Sequence, residues 1–332
     1  MKLRLMAGFI SGLFLVGCQV DPVLKHNPGG IEFPDHFPEP IWSDSKRVDA
    51  ELFELGRRLF YEPALSIDST VSCSSCHSQE HAFADHGTAL SQGVFGRIGR
   101  RNSPGIFNMA YSPTFMWDGG ITHLEVMPFA PITDTNEMAM NMDELVLRLK
   151  SDPVYVSDFE AFQGVTEKNV YLALKEFMVG LISSGSRYDR FLLGQEELTP
   201  IELDGYGIFE THCSSCHSEP LTTNYSFASN GYKDDLKDSG RYRVTQDSAD
   251  FGKFKVPSLR NVALTYPYMH DGGIATLSQV IDHYASLKEP LQDGSGQPIQ
   301  LESDDKRALL AFLKTLTDYT FITDTRYAKP TE

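Results

Sequence analysis

Two Cys-x-x-Cys-His segments, Cys73-Ser74-Ser75-Cys76-His77 and Cys213-Ser214-Ser215-Cys216-His217, constrain this chain more than any other feature. That pentapeptide is the attachment sequence for c-type haem. Its thiols bond to the haem vinyl groups, and the adjacent His gives the proximal nitrogen to iron. A chain carrying two such groups must fold around two flat macrocycles. Paired CxxC units can instead build a zinc site or a thiol–disulfide pair, but zinc pairs usually lie about 15–20 residues apart. Here the motifs start 140 positions apart, and each carries His at the next place. Two covalently bound haems and a redox role follow, and four of the five cysteines are used.

The fifth, Cys18, belongs to the amino terminus. Lys2 and Arg4 precede a largely apolar run from Met6 to Val16, and Leu15-Val16-Gly17-Cys18 follows. This pattern is that of a secretory signal, too short for a membrane span. The Leu-Val-Gly-Cys run resembles a bacterial lipobox, which implies lipidation of Cys18 after removal of residues 1–17. With Gln19 next, the expected address is the periplasmic face of the outer membrane, with the lipid as the only membrane contact. Losing Lys2 and Arg4 brings the formal charge from −16 to −18. Such an acidic chain repels nucleic acid and attracts basic partners. Residues 18–45, rich in Pro, Gly and Asp, read as a tether.

The periodic segments beyond it read as helices over residues 49–60, 143–149, 167–182, 276–287 and 303–316. Thr199-Pro200-Ile201-Glu202 is a capping box with Pro at the first helical position, opening a helix into the second haem motif. Strand signals are sparse. The expected fold is mostly α: two cytochrome c-like haem domains, residues 46–195 and 196–332, with long loops.

An internal repeat supports the duplication. The run from Asn108 to Ile121 aligns with the run from Asn261 to Ile274 at a constant offset of 153, matching Asn, Ala, Met and Asp-Gly-Gly-Ile. The same offset pairs Pro104 with Pro257, and Pro131 with Tyr284. If that last position faces the distal side of each haem, one half offers a phenol that can bind iron. The other offers a ring with no donor atom. A haem that activates a small oxidant needs a vacant site; one that only transfers electrons does not.

With these features in view, residues 46–320 resemble the bacterial di-haem cytochrome c peroxidase family, and within it the MauG-like branch. The resemblance rests on the two motifs in order, Ala82-Phe83-Ala84-Asp85, Arg101-Asn102-Ser103-Pro104, Phe115-Met116-Trp117-Asp118-Gly119-Gly120, Pro131 and Glu137-Met138. Val256-Pro257-Ser258-Leu259-Arg260-Asn261 and His270-Asp271-Gly272-Gly273 match in the second half. It implies that Trp117 relays electrons between the haems and that Glu137 is the distal acid–base carboxylate. It also implies a calcium ion bound by Asn102, Thr265 and Pro267, hard oxygen ligands that suit this cation.

Three departures refine the expectation. Members activated by reduction carry a distal His sixteen residues beyond the first proximal one; here that place is Gly93, with His81 and His86 nearby. At the capped haem, Met is replaced by Tyr284, as in MauG-like proteins, with Met269 and His283 as the alternative ligands. Met127 stands where the family commonly has Gln. The expected chemistry is hydrogen peroxide activation at an open first haem, with oxidising equivalents relayed to a His217/Tyr284 haem. MauG-like oxidation of an aromatic side chain on an exported partner protein is the first reading. Peroxide removal with a small cytochrome or copper protein as donor is the second, and a non-catalytic carrier or peroxide sensor the third. Family members are often dimers, so a dimer is an expectation of the resemblance alone.

Overall fold

The computed structural model describes residues 31–43, 47–232, 238–288 and 298–331; Cys18, the leader and most of the tether lie outside them. The helices are α1 (Ala50–Phe60), α2 (Phe129–Thr133), α3 (Met142–Lys150), α4 (Pro153–Asp158), α5 (Glu167–Gly180) and α6 (Arg187–Leu192). Then follow α7 (Pro200–His212), α8 (Tyr242–Thr245), α9 (Leu277–Ser286), α10 (Ser303–Thr315) and α11 (Tyr319–Thr323). The only two-stranded sheet among the described residues pairs β1 (Phe227–Ala228) antiparallel with β2 (Phe254–Lys255). The chain is thus mostly helical, and short 3₁₀ turns and long loops fill the rest. No helix of the described residues is long and apolar enough to cross a membrane.

The helices start where local chemistry dictates. At α7, Glu202 Oε2 accepts from the backbone N–H and the hydroxyl of Thr199, both at 2.7 Å. This box satisfies donors that a helix start leaves unpaired. Thr276 and Gln279 form the same box at α9.

Each half is built on one crossed helix pair, α1 on α5 and α7 on α10. Both crossings depend on a glycine. A Cβ on Gly56 would overlap the Ala173 carbonyl, and one on Gly205 the Ala308 carbonyl. Phe177 and Phe312 occupy matching places beside them. The repeated loops also fold alike. Phe115 bridges Ile121 as Tyr268 bridges Ile274. Asn108 and Asn261 are both left-handed, with φ of 56° and 57°, and donate their N–H to Leu181 and Leu316.

Two hydrophobic cores result, and the segment after α10 crosses to the first. Phe321 and Tyr327, from the carboxyl terminus, are buried in the core of the first half. Phe37, in that same core, lies 4.6 Å under the guanidinium of Arg260 from the second half. Arg260 is fully buried and makes two parallel bonds to Asp189, at 2.8 and 2.6 Å.

Candidate active site

Between the halves lies one continuous cavity of about 1450 Å³. His77 and His217 both line it, as do Asn102, Trp117, Met127, Pro131, Glu137, Thr265, Pro267, Met269 and Tyr284. The residues singled out from the sequence therefore converge on one space. No cluster of three or more His, Cys, Asp or Glu side chains able to hold a metal ion occurs among the described residues. The two cysteine pairs thus do not share a zinc site, nor are they joined by a disulfide.

The proximal histidines are held alike. His77 Nδ1 lies 2.8 Å from the Phe83 carbonyl. His217 Nδ1 lies 3.2 and 3.1 Å from the carbonyls of Thr222 and Pro257. A carbonyl only accepts, so each Nδ1 carries the proton and each Nε2 keeps its lone pair for iron. Phe83 and Thr222 present these carbonyls from left-handed backbone, φ 56° and 51°. Burial pushes His217 down to about 4, which keeps the ring neutral.

These residues fit haem c. Each motif offers two thiols and one neutral imidazole, the complete donor set of a covalently bound macrocycle. The cavity also holds Lys255, whose ammonium has no carboxylate partner among the described residues and is pushed down to about 8 by burial. Haem carries carboxylates of the kind this cation lacks.

One stretch of the first half lines the cavity with Met127, Pro131 and Glu137. Met127 leads into α2, which contains Pro131, and a turn closed by the Glu137 N–H on the Asp134 carbonyl (3.1 Å) follows. Glu137 opens onto the cavity but has protein around it. Burial, helped by Asp134, raises its carboxyl to about 7. Its charge reaches Cys73 and Cys76, which places it on the first haem's side.

Gly93 closes this region. Val94 donates its N–H to the Glu137 carbonyl at 2.8 Å. A Cβ on Gly93 would overlap the carbonyl oxygens of Asn136 and Glu137. No side chain fits there while this backbone packing holds. His81 and His86 stack on each other, with ring centroids 3.4 Å apart, outside the cavity lining.

Trp117 sits at the junction. Its indole N–H donates to the Asn102 carbonyl at 2.8 Å, while the Asn102 N–H donates to His270 at 2.7 Å. His270, the repeat partner of Trp117, stacks on Phe254 at 3.8 Å, and Phe254 meets Trp117 edge-on at 6.5 Å. The Asn102 amide nitrogen is engaged with Ala89, 3.0 Å away, leaving Oδ1 as its donor atom for a cation.

In the second half, Tyr284 lines the cavity and is pushed up to about 12 by burial, against the pull of a hydrogen bond with Asn230. Asn230 also donates to the Met269 sulfur at 3.2 Å and accepts from His283 at 3.0 Å. His283 is thereby occupied outside the lining, whereas Met269 and Tyr284 both face the space. Lys255 and Asn230 escaped the sequence reading, because neither belongs to a motif. His270 was visible only through the 153-residue repeat.

Comparison with known proteins agrees with this architecture. Residues 50–197 match the di-haem cytochrome c peroxidase family and residues 203–317 the cytochrome c family. The methylamine utilization protein MauG of Methylorubrum extorquens is 34% identical over 296 residues, covering 85% of this chain and 82% of that one. The chain belongs to the di-haem cytochrome c peroxidase family. Cytochrome c peroxidase of Escherichia coli is also 34% identical, over 85% of this chain and 62% of its own. A crystal structure of a MauG-like protein associated with microbial copper homeostasis superposes with a TM-score of 0.79 at 33% identity, covering 90% of this chain and 98% of that one. This family member is therefore a di-haem peroxidase-type enzyme with two c-type haems in two cytochrome c-type domains.

Proposed function

We propose that the protein uses hydrogen peroxide to drive one-electron oxidations, with an open haem at His77 and a capped haem at His217 and Tyr284. The terminal reductant in this proposal is an aromatic side chain on an exported partner protein, as implied by the MauG-like resemblance. Packing at Gly93 carries the assignment, because the position that holds a distal His in reductively activated relatives cannot hold any side chain here. Haem held by Cys73, Cys76 and His77 would supply the redox chemistry for cleaving the O–O bond. Glu137 takes a proton from the incoming peroxide and returns it to the departing oxygen, work that suits a carboxyl poised near neutrality. Pro131 offers no donor atom on its ring, and Met127 adds an apolar contact beside it. Trp117, pinned to Asn102, carries electrons between the halves.

Tyr284 would help hold the second haem, and as a phenolate ligand it would lower that group's potential and favour its oxidised state. Asn102 Oδ1 with the carbonyls of Thr265 and Pro267 would hold calcium between the halves. Lipidation of Cys18 would tether the protein to the periplasmic face of the outer membrane. A second reading, peroxide removal with a small redox protein as donor, draws on the equal identity to the Escherichia coli cytochrome c peroxidase.

Electron paramagnetic resonance of the as-isolated ferric protein tests the proposal. One high-spin and one low-spin signal are expected. Two low-spin signals would overturn it, since the first iron would then carry a distal ligand.

A further inference from the structure

The cavity wall beside Pro131 has an outer face that carries oxidisable side chains, Trp42 and Tyr171. Phe115 and Phe129 line the inside. On the other side, the Trp42 ring lies 5.7 Å from Phe115 and the Tyr171 ring 6.5 Å from Phe129. Trp42 and Tyr171 also line an outer pocket of about 850 Å³, together with Ile41, Val126 and Leu172. Tryptophan and tyrosine are the most readily oxidised side chains, whereas phenylalanine is a contact medium and not a station. One ring thus separates the cavity from two oxidisable groups that open to a different surface.

Proton management is present as well. Oxidising a tyrosine at moderate potential requires its proton to leave with the electron. Tyr171 Oη donates to Glu167 Oε1 at 2.9 Å. The pair sits one helical turn apart on α5, on one face. Tyr171 is only 8% exposed, so bulk water is a poor substitute acceptor. In the pocket, Glu125 and Glu167 are matched by Lys168 and Lys175. Equal numbers of acid and base, with apolar Ile41, Val126 and Leu172, suit a neutral aromatic ring better than an ion.

We propose that this pocket is a second oxidation outlet, at which Tyr171 and Trp42 pass oxidising equivalents from the cavity to a small neutral phenol. It rests on peroxide reduction in the cavity as proposed above, but uses neither Trp117 nor the second haem. Tyr171 gives one electron inward and its phenolic proton to Glu167, which releases it to solvent. A phenol in the pocket then gives one electron and one proton to the tyrosyl oxygen, restoring Tyr171 and leaving as a phenoxyl radical. Two such events supply two electrons, and with two solvent protons one hydrogen peroxide becomes two waters. The sum is two phenols oxidised per peroxide.

The holoprotein is tested with hydrogen peroxide and two donors in parallel, guaiacol and ferrocytochrome c. The wild type oxidises both. Tyr171→Phe and Glu167→Gln each lower guaiacol turnover, relative to ferrocytochrome c turnover in the same preparation, by on the order of a hundredfold. Freeze-quenched wild-type samples show an organic radical signal that narrows with ring-deuterated tyrosine and is lost in Tyr171→Phe. An unchanged guaiacol-to-cytochrome ratio in Tyr171→Phe, Trp42→Phe and the double variant overturns the outlet. So does a wild type that oxidises ferrocytochrome c but not guaiacol, a result that leaves peroxide reduction standing. Failure with both donors overturns the outlet, and it overturns the peroxidatic assignment as well if hydrogen peroxide also leaves the haem absorbance band unchanged.

Discussion

Replacing Glu137 by Gln keeps the shape of the side chain but removes its basicity, so it isolates the proton-transfer step. Glu137 can act as base only when ionised, and burial with the nearby Asp134 carboxylate raises it to about 7. The loop packed against it brings backbone alone, from Gly93 and Val94. Cys73 and Cys76, which also feel its charge, cease to titrate once bonded to haem. With a midpoint near 7, roughly a tenth of the carboxyl is ionised at pH 6 and roughly nine-tenths at pH 8. The second-order rate with peroxide should therefore rise about tenfold over that interval and then level off. In Glu137→Gln the rate should fall by about 10²–10⁴ and lose this pH dependence. Stopped-flow absorbance of the haem band, with peroxide in excess, reads both quantities. A flat wild-type profile, or a Gln variant reacting at the parent rate, would refute the reasoning. Linkage adds an independent check. The folded protein holds this proton more tightly than the unfolded chain, so ionisation costs stability as pH rises from the ordinary carboxylate range to about 7. The Gln variant should therefore be no less stable than wild type at pH 8.

Two glycines of α7 should respond in opposite directions. Gly207→Ala meets nothing within 4 Å and should stabilise by about 0.5–1 kcal/mol. Gly205→Ala drives its methyl into the Ala308 carbonyl and should destabilise by about 1–3 kcal/mol. Thermal unfolding followed by circular dichroism ranks the two, and equal midpoints would contradict the crossing. Tyr284→Phe should convert the low-spin ferric signal to high spin; a persisting low-spin signal would instead assign Met269 as ligand. Arg260→Met strands the buried Asp189 carboxylate and should cost about 3–5 kcal/mol in denaturant titration.

Much of the helical framework was legible because its determinants are local. Amphipathic spacing and the Thr199/Glu202 box mark α7 without reference to anything distant, and observed ends fall within one or two residues of the expected ones. The repeat was legible because Asp118 and Asp271 cap the same turn, each accepting from a glycine N–H two residues on, at 2.9 Å. What escaped depends on partners far along the chain. Gly56 reads as an indifferent helix residue until Ala173 packs on it. Phe83 and Thr222 give no hint of positive φ, because both are poor left-handed residues by type. Lys255 looks like an ordinary strand-edge charge, and only the cavity makes its burial costly. The outer pocket gathers residues near 41, 126 and 171, which no linear pattern connects.

The seating of residues 321–327 in the first core has a consequence for assembly. Phe83, whose carbonyl orients His77, packs against Phe321 at 5.6 Å and Tyr327 at 6.3 Å, and Tyr61 donates to the Tyr327 carbonyl at 2.9 Å. Phe321 and Tyr327 lie far downstream of Phe83 in the chain, beyond both haem motifs. Cys73 and Cys76 are made well before this segment, so the brace behind His77 is complete only once residues 321–327 are in place. The segment after α10 thus acts as a keystone. A chain cut short after α10 would keep both attachment motifs and still leave the first imidazole loosely aimed, which ties the ordering of the first half to the segment that follows the second.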